Sequence, residues 1–389
     1  MKKNYSILYL LLLLITLISC SESDEDTYLP LSNENNKQIT TIKENAPITL
    51  DLTQVPFPKL SDYHFFIGDL KNQKPGYQVI PYLPASSLFS DYAHKKRFIW
   101  MPNGVKATYN GDGSVLELPV GAALIKTFYY DKVQNITPIG GTRILETRIM
   151  IRKTSGWIFA DYIWNSEQTE AFYDISGSYT QISWKDDNDV IKSTNYRIPS
   201  EEQCNVCHKF QQVVNNVLET SYIPIGIKPQ NLNFNYNYGR TTKNQLTKWI
   251  EVGYLQNNFS FPLINNTTVD YNDASKPLDV RARSYVDANC AHCHQNYRHC
   301  DYRQMRFAFN ESANNLTNMG VCVNTEDMQD FPLGLNKIVN PRNIDMSMMY
   351  YRMNTTDESY RMPLHGRTVI HEEGVALIRE WINSLSQCE

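Results

Sequence analysis

The residues best suited to chemistry lie in two short motifs of one form: cysteine, two variable residues, cysteine and histidine. The first motif comprises residues 204–208 (CNVCH) and the second motif residues 290–294 (CAHCH). This is the attachment pattern of c-type haem, in which two thiols add to porphyrin vinyl groups and the histidine binds iron. With 8 cysteines and 8 histidines in 389 residues, chance supplies roughly 0.003 such matches per sequence. Two matches therefore predict two covalently bound haem c groups.

The pattern assigns a role to each residue of the motifs. The predicted haem-binding residues are Cys204, Cys207, His208, Cys290, Cys293 and His294. The histidine after the second cysteine is the iron ligand, so His208 and His294 are the predicted proximal ligands. His292, inside the second motif, is predicted to be a neighbour of the ring.

Two other chemistries use paired cysteines. Zinc binds four cysteine or histidine ligands, but it does not require a histidine directly after each cysteine pair. In addition, an oxidising compartment tends to turn free cysteine pairs into disulfides. A redox CxxC is expected after a strand in a βαβ unit, which neither motif follows. Both alternatives are less favoured than haem.

The second axial ligand separates electron transfer from substrate chemistry. For the second motif the best candidate is Met362, just before the last predicted helix, with Pro363 stiffening its loop and His365 as the runner-up. The first motif has no methionine or histidine between His208 and Ala291. Its distal ligand must come from elsewhere, unless the position is open or is filled by a weaker ligand such as lysine or tyrosine. The more distant candidates are Met101, Met305 and the methionines of 346–353.

Three cysteines lie outside the motifs and the N-terminus. A disulfide between Cys300 and Cys322 would close a modest loop and stabilise by about 3 kcal/mol. Cys388 is then unpaired near the C-terminus, although a pair between Cys322 and Cys388 stays open.

The N-terminus has the form of a secretory signal. Lys2 and Lys3 precede an apolar run that ends in Leu17-Ile-Ser-Cys20, and the run is too short for an easy membrane span. LISC resembles a bacterial lipoprotein box, which implies that residues 1–19 are removed and that Cys20 carries lipid. The acidic residues that follow resemble the export signal of surface lipoproteins in Bacteroidota. The sequence therefore predicts a lipid-anchored protein of the cell envelope, either on the outer membrane, where it could be exposed at the cell surface, or facing the periplasm.

Composition bounds the remaining possibilities. A hydrophobic fraction of 42% with 20% charged residues is typical of a globular protein, and 389 residues suggest two or three domains. The net charge of −4, without a basic run, argues against nucleic acid as a partner.

The elements that must position the motifs fall into two regions. Between residues 55 and 198, β-branched and aromatic stretches alternate with turns, which predicts a mostly antiparallel β domain. The predicted strands lie at 118–130, 143–152, 157–164 and 176–184. After Pro199 the pattern favours helices, and we expect an all-α, cytochrome c-like region with two haem modules at 199–280 and 281–389. Residues 20–54 are predicted to be a tether.

Helix signals place the motifs on this framework. Ser200-Glu-Glu-Gln203 fits a capping box, which predicts a helix that carries Cys204 to His208. A second capping signal stands at Thr242–Gln245. Further helices are predicted at 278–293 and 372–385.

Long stretches of the chain resemble a family of exported dihaem c-type cytochromes that join a β-rich N-terminal region to a C-terminal cytochrome region. The stretches that carry the resemblance are 60–63, 81–104, 118–121 with 125–128, 146–148, 162–171, 198–208 (IPSEEQCNVCH), 244–246, 281–294 (RARSYVDANCAHCH) and 361–382. The resemblance implies one shared architecture and a dihaem cytochrome, and it assigns neither an electron donor nor an acceptor.

The favoured function is electron transfer at the cell envelope, to or from a redox partner protein or a small donor or acceptor. The alternative is a haem enzyme, peroxidase-like or dehydrogenase-like, with an open distal site on the first haem. A third possibility makes the β domain a ligand-binding module with accessory haems.

Overall fold

A computed structural model describes residues 46–326, 331 and 334–388. The predicted signal, Cys20 and most of the tether lie outside the described residues. The β-branched and aromatic stretches form strands, as their composition favours. In chain order these are β1 Phe66–Ile67, β2 Lys74–Pro75, β3 Ile80–Pro81, β4 His94–Trp100, β5 Ala123–Val133, β6 Gly141–Lys153, β7 Gly156–Trp164, β8 Ala171–Tyr173, β9 Ser178–Lys185, β10 Ile191–Ile198, β11 Lys209–Val214, β12 Val217–Tyr222, β13 Asn235–Asn237 and β14 Thr242–Asn244.

One antiparallel sheet of eight strands dominates the region before residue 199. Strand β5 lies at its centre, paired with β6 on one side and with β4 on the other, while β7 and β8 extend the sheet beyond β6. The end of β5 also pairs with the β9–β10 hairpin, through Val133 and Trp184. The prediction of a mostly antiparallel β region is confirmed.

Both faces of the sheet are covered. On one face, Phe98, Ile125 and Ile149 pack against the N-terminal segment around Leu60 and Tyr63. The opposite face has two apolar parts. One joins Ile99 and Leu124 to Leu246 and Trp249, and the other joins Phe128 and Tyr130 to the β9–β10 hairpin. Charged side chains of the same face lie between these two parts.

Seven α-helices follow residue 199 in the described chain: α1 Glu201–His208, α2 Pro229–Leu232, α3 Gln245–Glu251, α4 Leu278–Asn289, α5 Phe309–Ser312, α6 Met348–Met353 and α7 Glu372–Ser384. Four short 3-10 turns lie at Leu60–Tyr63, Leu70–Asn72, Ile264–Asn266 and Ile344–Met346. Helices α4 and α7 share an apolar core with the segments around Met305 and Val339, in which Val286, Ile378 and Trp381 are almost fully buried. No helix of residues 46–326 or 334–388 is long and apolar enough to span a membrane.

The expectation of an all-α region after Pro199 is wrong, because the hairpins β11–β12 and β13–β14 lie within it. Asn215 and Asn216 both have positive φ and form the two-residue turn of the first hairpin. Asparagine tolerates this conformation better than most residues, so the pair is a hairpin signal. The domain boundaries proposed at 199 and 281 stay predictions.

Candidate functional site

The first motif lies on helix α1, as predicted. Gln203 Oε1 accepts a hydrogen bond from the Ser200 backbone N at 3.3 Å, which completes the predicted capping box. Cys204 and His208, four positions apart, therefore share one face of the helix. The helix ends at His208, and the chain passes directly into β11.

The β11–β12 hairpin returns the chain to His208. The Ile223 backbone N donates to the His208 carbonyl oxygen at 2.9 Å, and the Ile223 carbonyl oxygen lies 2.8 Å from His208 Nδ1. With Nδ1 held by a carbonyl, Nε2 is the nitrogen left for a metal, as in most metal-binding histidines. This hairpin was not among the predicted elements, although its Asn215-Asn216 turn is a hairpin signal in the sequence.

The second motif differs from the prediction. Helix α4 ends at Asn289, so Cys290–His294 form an irregular turn after the helix. Within the turn, the backbone N atoms of Cys293 and His294 both donate to the Cys290 carbonyl oxygen, at 3.1 and 3.0 Å. The turn still brings both cysteines and His294 to one side of the chain. The ring of Phe307 lies 5.4 Å from that of His294.

Both motifs open into a single cavity of about 560 Å³, a volume typical of cofactor sites. The residues of the motifs that line it are Cys204, Val206, Cys207, His208, Cys290, His292, Cys293 and His294. The structure thus brings together two motifs that are far apart in the sequence. The cavity lies between the charged face of the sheet and the segments that follow residue 199.

The two motifs also meet directly. Donor atoms of Cys207, His292 and Cys293 lie within 4.8 Å of one another. A hydrogen bond between the two thiols lowers the pKa of Cys207 and raises that of Cys293. His292, predicted to be a peripheral neighbour, is 4% exposed, and its Nδ1 has no hydrogen-bond partner among the described residues.

Burial sets the protonation of the other groups in the motifs. It lowers the pKa of both His208 and His294 to about 4, so both imidazoles are neutral near pH 7. A neutral imidazole has the free lone pair that a metal needs. Burial also raises the pKa of the Cys204 and Cys290 thiols to about 12, which keeps them protonated.

Candidate distal ligands lie on the same cavity. Met362 and His365 both line it, as do Met305 and the α6 methionines Met348, Met349 and Met353. Met101 is fully buried in the core between the sheet and helix α3, so it is a core residue. His365 Nδ1 is buried without a hydrogen-bond partner in the described part of the chain.

The loop that carries Met362 is anchored by two buried charged residues. Arg367 donates from Nε to the Met362 carbonyl oxygen at 3.0 Å, and from Nη2 to the carbonyl oxygens of Arg352 and Thr355 at 2.9 Å. Asp91 accepts from the backbone N atoms of Thr368 at 2.6 Å and Val369 at 3.1 Å. These contacts fix the loop against helix α6 and the sheet region.

Acidic and basic side chains of the sheet line the cavity beside the first motif. Arg148 donates from Nη2 to Glu146 Oε1 at 2.5 Å, and its Nε lies 3.8 Å from Asp161 Oδ2. Tyr196 donates to the same Glu146 oxygen at 2.6 Å. Burial, together with the neighbouring Glu146 carboxylate, raises the pKa of Asp161 well above its usual value.

No protein-family model, curated protein or solved structure matches the chain. The function must therefore be argued from the site.

The predicted disulfide is wrong. Cys322 is bonded to Cys388, with an S–S distance of 2.02 Å, and Cys300 is a buried free thiol. Cys388 follows helix α7, so the bond links the C-terminus of the chain to the segment around Val321. Disulfide connectivity cannot be deduced from sequence spacing alone, and the open alternative is the pair that forms.

The residues present fit a covalently bound haem at each motif. Each motif offers two thiols and one neutral imidazole to a cavity that is also lined by methionine, phenylalanine and isoleucine side chains. His208 Nδ1 is held by a carbonyl, and His294 Nδ1 is a buried nitrogen without a partner among the described residues. Soft thioether and imidazole donors in an apolar cavity suit haem iron.

Proposed function

We propose that the protein is a dihaem c-type cytochrome that transfers electrons at the cell envelope. The observation that carries the proposal is the convergence of two CxxCH motifs on one cavity. A single zinc ion or a single redox disulfide would leave at least one of the two motif-ending histidines, His208 and His294, without a role. The predicted lipid on Cys20 is consistent with a redox partner at a membrane.

In this proposal the chain holds each haem by three residues. Cys204 and Cys207 would bind one porphyrin and His208 its iron, while Cys290, Cys293 and His294 would do the same for the other. Bound haem supplies reversible one-electron chemistry. The chain orients His208 through Ile223 and presents Met362 on an anchored loop.

Haem content tests the proposal directly. The chain is produced with c-type cytochrome maturation, and haem is quantified by pyridine haemochrome absorbance and by mass after denaturation. We expect two haems per chain, and one in a Cys204→Ser, Cys207→Ser double variant. Cys300→Ser is the matched control and should retain both. A chain without covalent haem after maturation would refute the proposal.

A second candidate is a haem enzyme with an open first haem, and the acidic group beside the first motif favours it. Asp161 and Tyr196 line the cavity, and their carboxyl and phenol groups are of the kind that move protons to a bound substrate. Low-temperature EPR of the oxidised protein separates the two functions. Only low-spin signals support electron transfer, whereas a high-spin signal that cyanide removes supports the enzyme.

A structural zinc site is the third candidate, because Cys207, His292 and Cys293 already lie close together. Three ligands satisfy most of a tetrahedral zinc site. Metal analysis of the matured protein decides between the two centres. Iron at two equivalents per chain with no zinc supports haem, and one zinc per chain with free Cys204 and Cys290 thiols supports the zinc site.

A further inference from the structure

Three cations lie side by side across the sheet, on the face that lines the cavity. Arg97 of β4 pairs with Lys126 of β5, and Lys126 pairs in turn with Arg148 of β6. Asp161 of β7 continues the same row opposite Arg148. All four residues line the cavity, and we call them the charged row.

Lys126 is the residue of the row whose charge needs an explanation. Arg148 is neutralised by Glu146 at 2.5 Å, and it lies 3.8 Å from Asp161. Lys126 Nζ lies 4.6 Å from the centre of the Phe128 ring, and the described residues offer it no carboxylate at ion-pair distance. Like charges on directly opposed strand positions destabilise a sheet, and burial in an apolar wall adds to the cost.

The titration of Lys126 reflects this environment. Burial lowers its pKa well below the usual value, and the positive charges of Arg97, Arg148 and Lys95 lower it further. An anion in the cavity would raise the pKa of Lys126 again, because it supplies both negative charge and hydrogen-bond acceptors for the ammonium group. Lys126 lines the cavity, so an anion in the cavity could reach its side chain.

The charged row lies beside the first motif. Cys204 and His208 line the same cavity as the four residues of the row. Phe159, two positions before Asp161 on β7, has its ring 4.9 Å from that of His208. An anion held by the row would therefore be next to whatever the first motif binds.

We propose that Lys126, next to Arg97 on β4, binds a carboxylate or a small oxyanion in the cavity beside Cys204 and His208. One source of that chemistry is a propionate of the haem on the first motif, and this form rests on the proposed function. The other source is a free anion that enters the cavity. Lysine supplies a point charge and arginine a planar fork of donors, the usual partners of carboxylates and oxyanions.

The experiment compares Lys126→Met with Lys126→Arg, which keeps the charge, and with Lys126→Gln in case the methionine variant folds poorly. Lys132→Met is the matched control: Lys132 is on the same strand β5, and it is paired at the sheet end with Asp187 at 3.6 Å. The measurements are haem content, the two midpoint potentials by spectroelectrochemistry, and the thermal midpoint with and without added sulfate.

If a propionate is the anion, Lys126→Met lowers the potential of one haem and leaves the other unchanged. The direction follows because a lost positive charge favours the oxidised iron. Lys126→Arg restores the potential, Lys132→Met does not change it, and sulfate has no effect. If a free anion is bound, sulfate raises the thermal midpoint of the wild-type chain and not that of Lys126→Met.

Unchanged potentials together with no sulfate effect would overturn the anion site. Failure of the proposed function gives a different result, since haem analysis then finds no covalent haem in the wild-type chain. In that case the sulfate measurement alone decides the anion site, with stabilisation lost in Lys126→Met supporting it and no stabilisation in the wild type overturning it.

Discussion

Cys207 and Cys293, the second cysteines of two distant motifs, lie within hydrogen-bond contact of each other, with their sulfur atoms no more than 4.8 Å apart. Each motif therefore reaches the cavity from its own segment, and the two meet at its wall. Whether each cysteine is a free thiol, a disulfide or a thioether therefore reports which group the cavity binds.

Alkylation under denaturing, non-reducing conditions should label Cys300 alone among residues 46–388 of the matured protein. Thioether bonds to haem would protect the four cysteines of the motifs, and the Cys322–Cys388 bond protects the other two. Peptide mass mapping measures the labelled positions. The control is the chain expressed without haem maturation, in which five cysteines should react. Label on Cys322 or Cys388 would contradict the disulfide assignment.

Met362→Ala should abolish any weak long-wavelength sulfur-to-iron absorption band of the oxidised protein. Such a band is expected of His/Met ligation, and Met362 lines the cavity on an anchored loop. Met101→Leu is the control, because Met101 is fully buried in the core beside helix α3. Persistence of the band in Met362→Ala would assign the ligand to another methionine.

Arg367→Gln should lower the free energy of unfolding by about 3 kcal/mol and weaken the same band. Arg367 is 4% exposed, and its loss leaves the carbonyl oxygens of Met362 and Thr355 without their side-chain donor, while the Arg352 carbonyl oxygen keeps only the Met362 backbone N. Urea denaturation measures the first effect and absorption spectroscopy the second. A destabilised variant with an undiminished band would show that Arg367 supports the fold without positioning Met362.

The exposed Arg240 gives a matched control, since Arg240→Gln should change stability by no more than about 0.5 kcal/mol.

Local signals were sufficient for much of the framework. The capping box placed helix α1, and the apolar stripe of Val375, Ile378 and Trp381 placed helix α7 within one residue. Strands β6 and β7 also agree closely with their predicted ranges. Each of these elements is specified by residues within its own length, which a sequence displays directly.

The site was only partly predictable, because its geometry depends on distant contacts. Helix α4 stops at Asn289, whose side-chain oxygen accepts from the Phe89 backbone N at 2.8 Å. Asp287, in the last turn of the helix, forms an ion pair with Lys228, whose Nζ lies 2.7 Å from Asp287 Oδ1. The sequence of helix α4 gives no sign of these distant partners. The prediction that the helix extends through Cys293 therefore could not be corrected from the sequence. The meeting of the two motifs has the same origin in long-range packing.

His371 should give the protein part of its acid sensitivity. Its ring stacks on Phe89 at 4.2 Å, and the Tyr285 hydroxyl lies 3.0 Å from its Nδ1. Burial lowers its pKa from 6.5 to about 3, with Lys95 and Arg367 acting in the same direction. Between these two pH values the His371 imidazole is protonated in the unfolded chain but remains neutral in the folded chain. Stability is therefore full above about pH 6.5 and falls as the pH drops towards 3.

His371→Asn should flatten this dependence, because asparagine does not titrate. Between pH 6.5 and 4.5 the titration of His371 should lower the free energy of unfolding of the wild-type chain by up to about 3 kcal/mol. The His371→Asn variant should not show this decrease. Urea denaturation at several pH values measures the difference in slope. The exposed His64 provides the control variant, His64→Asn, which should follow the wild-type curve. If His371→Asn also runs parallel to the wild type, the acid sensitivity comes from other groups.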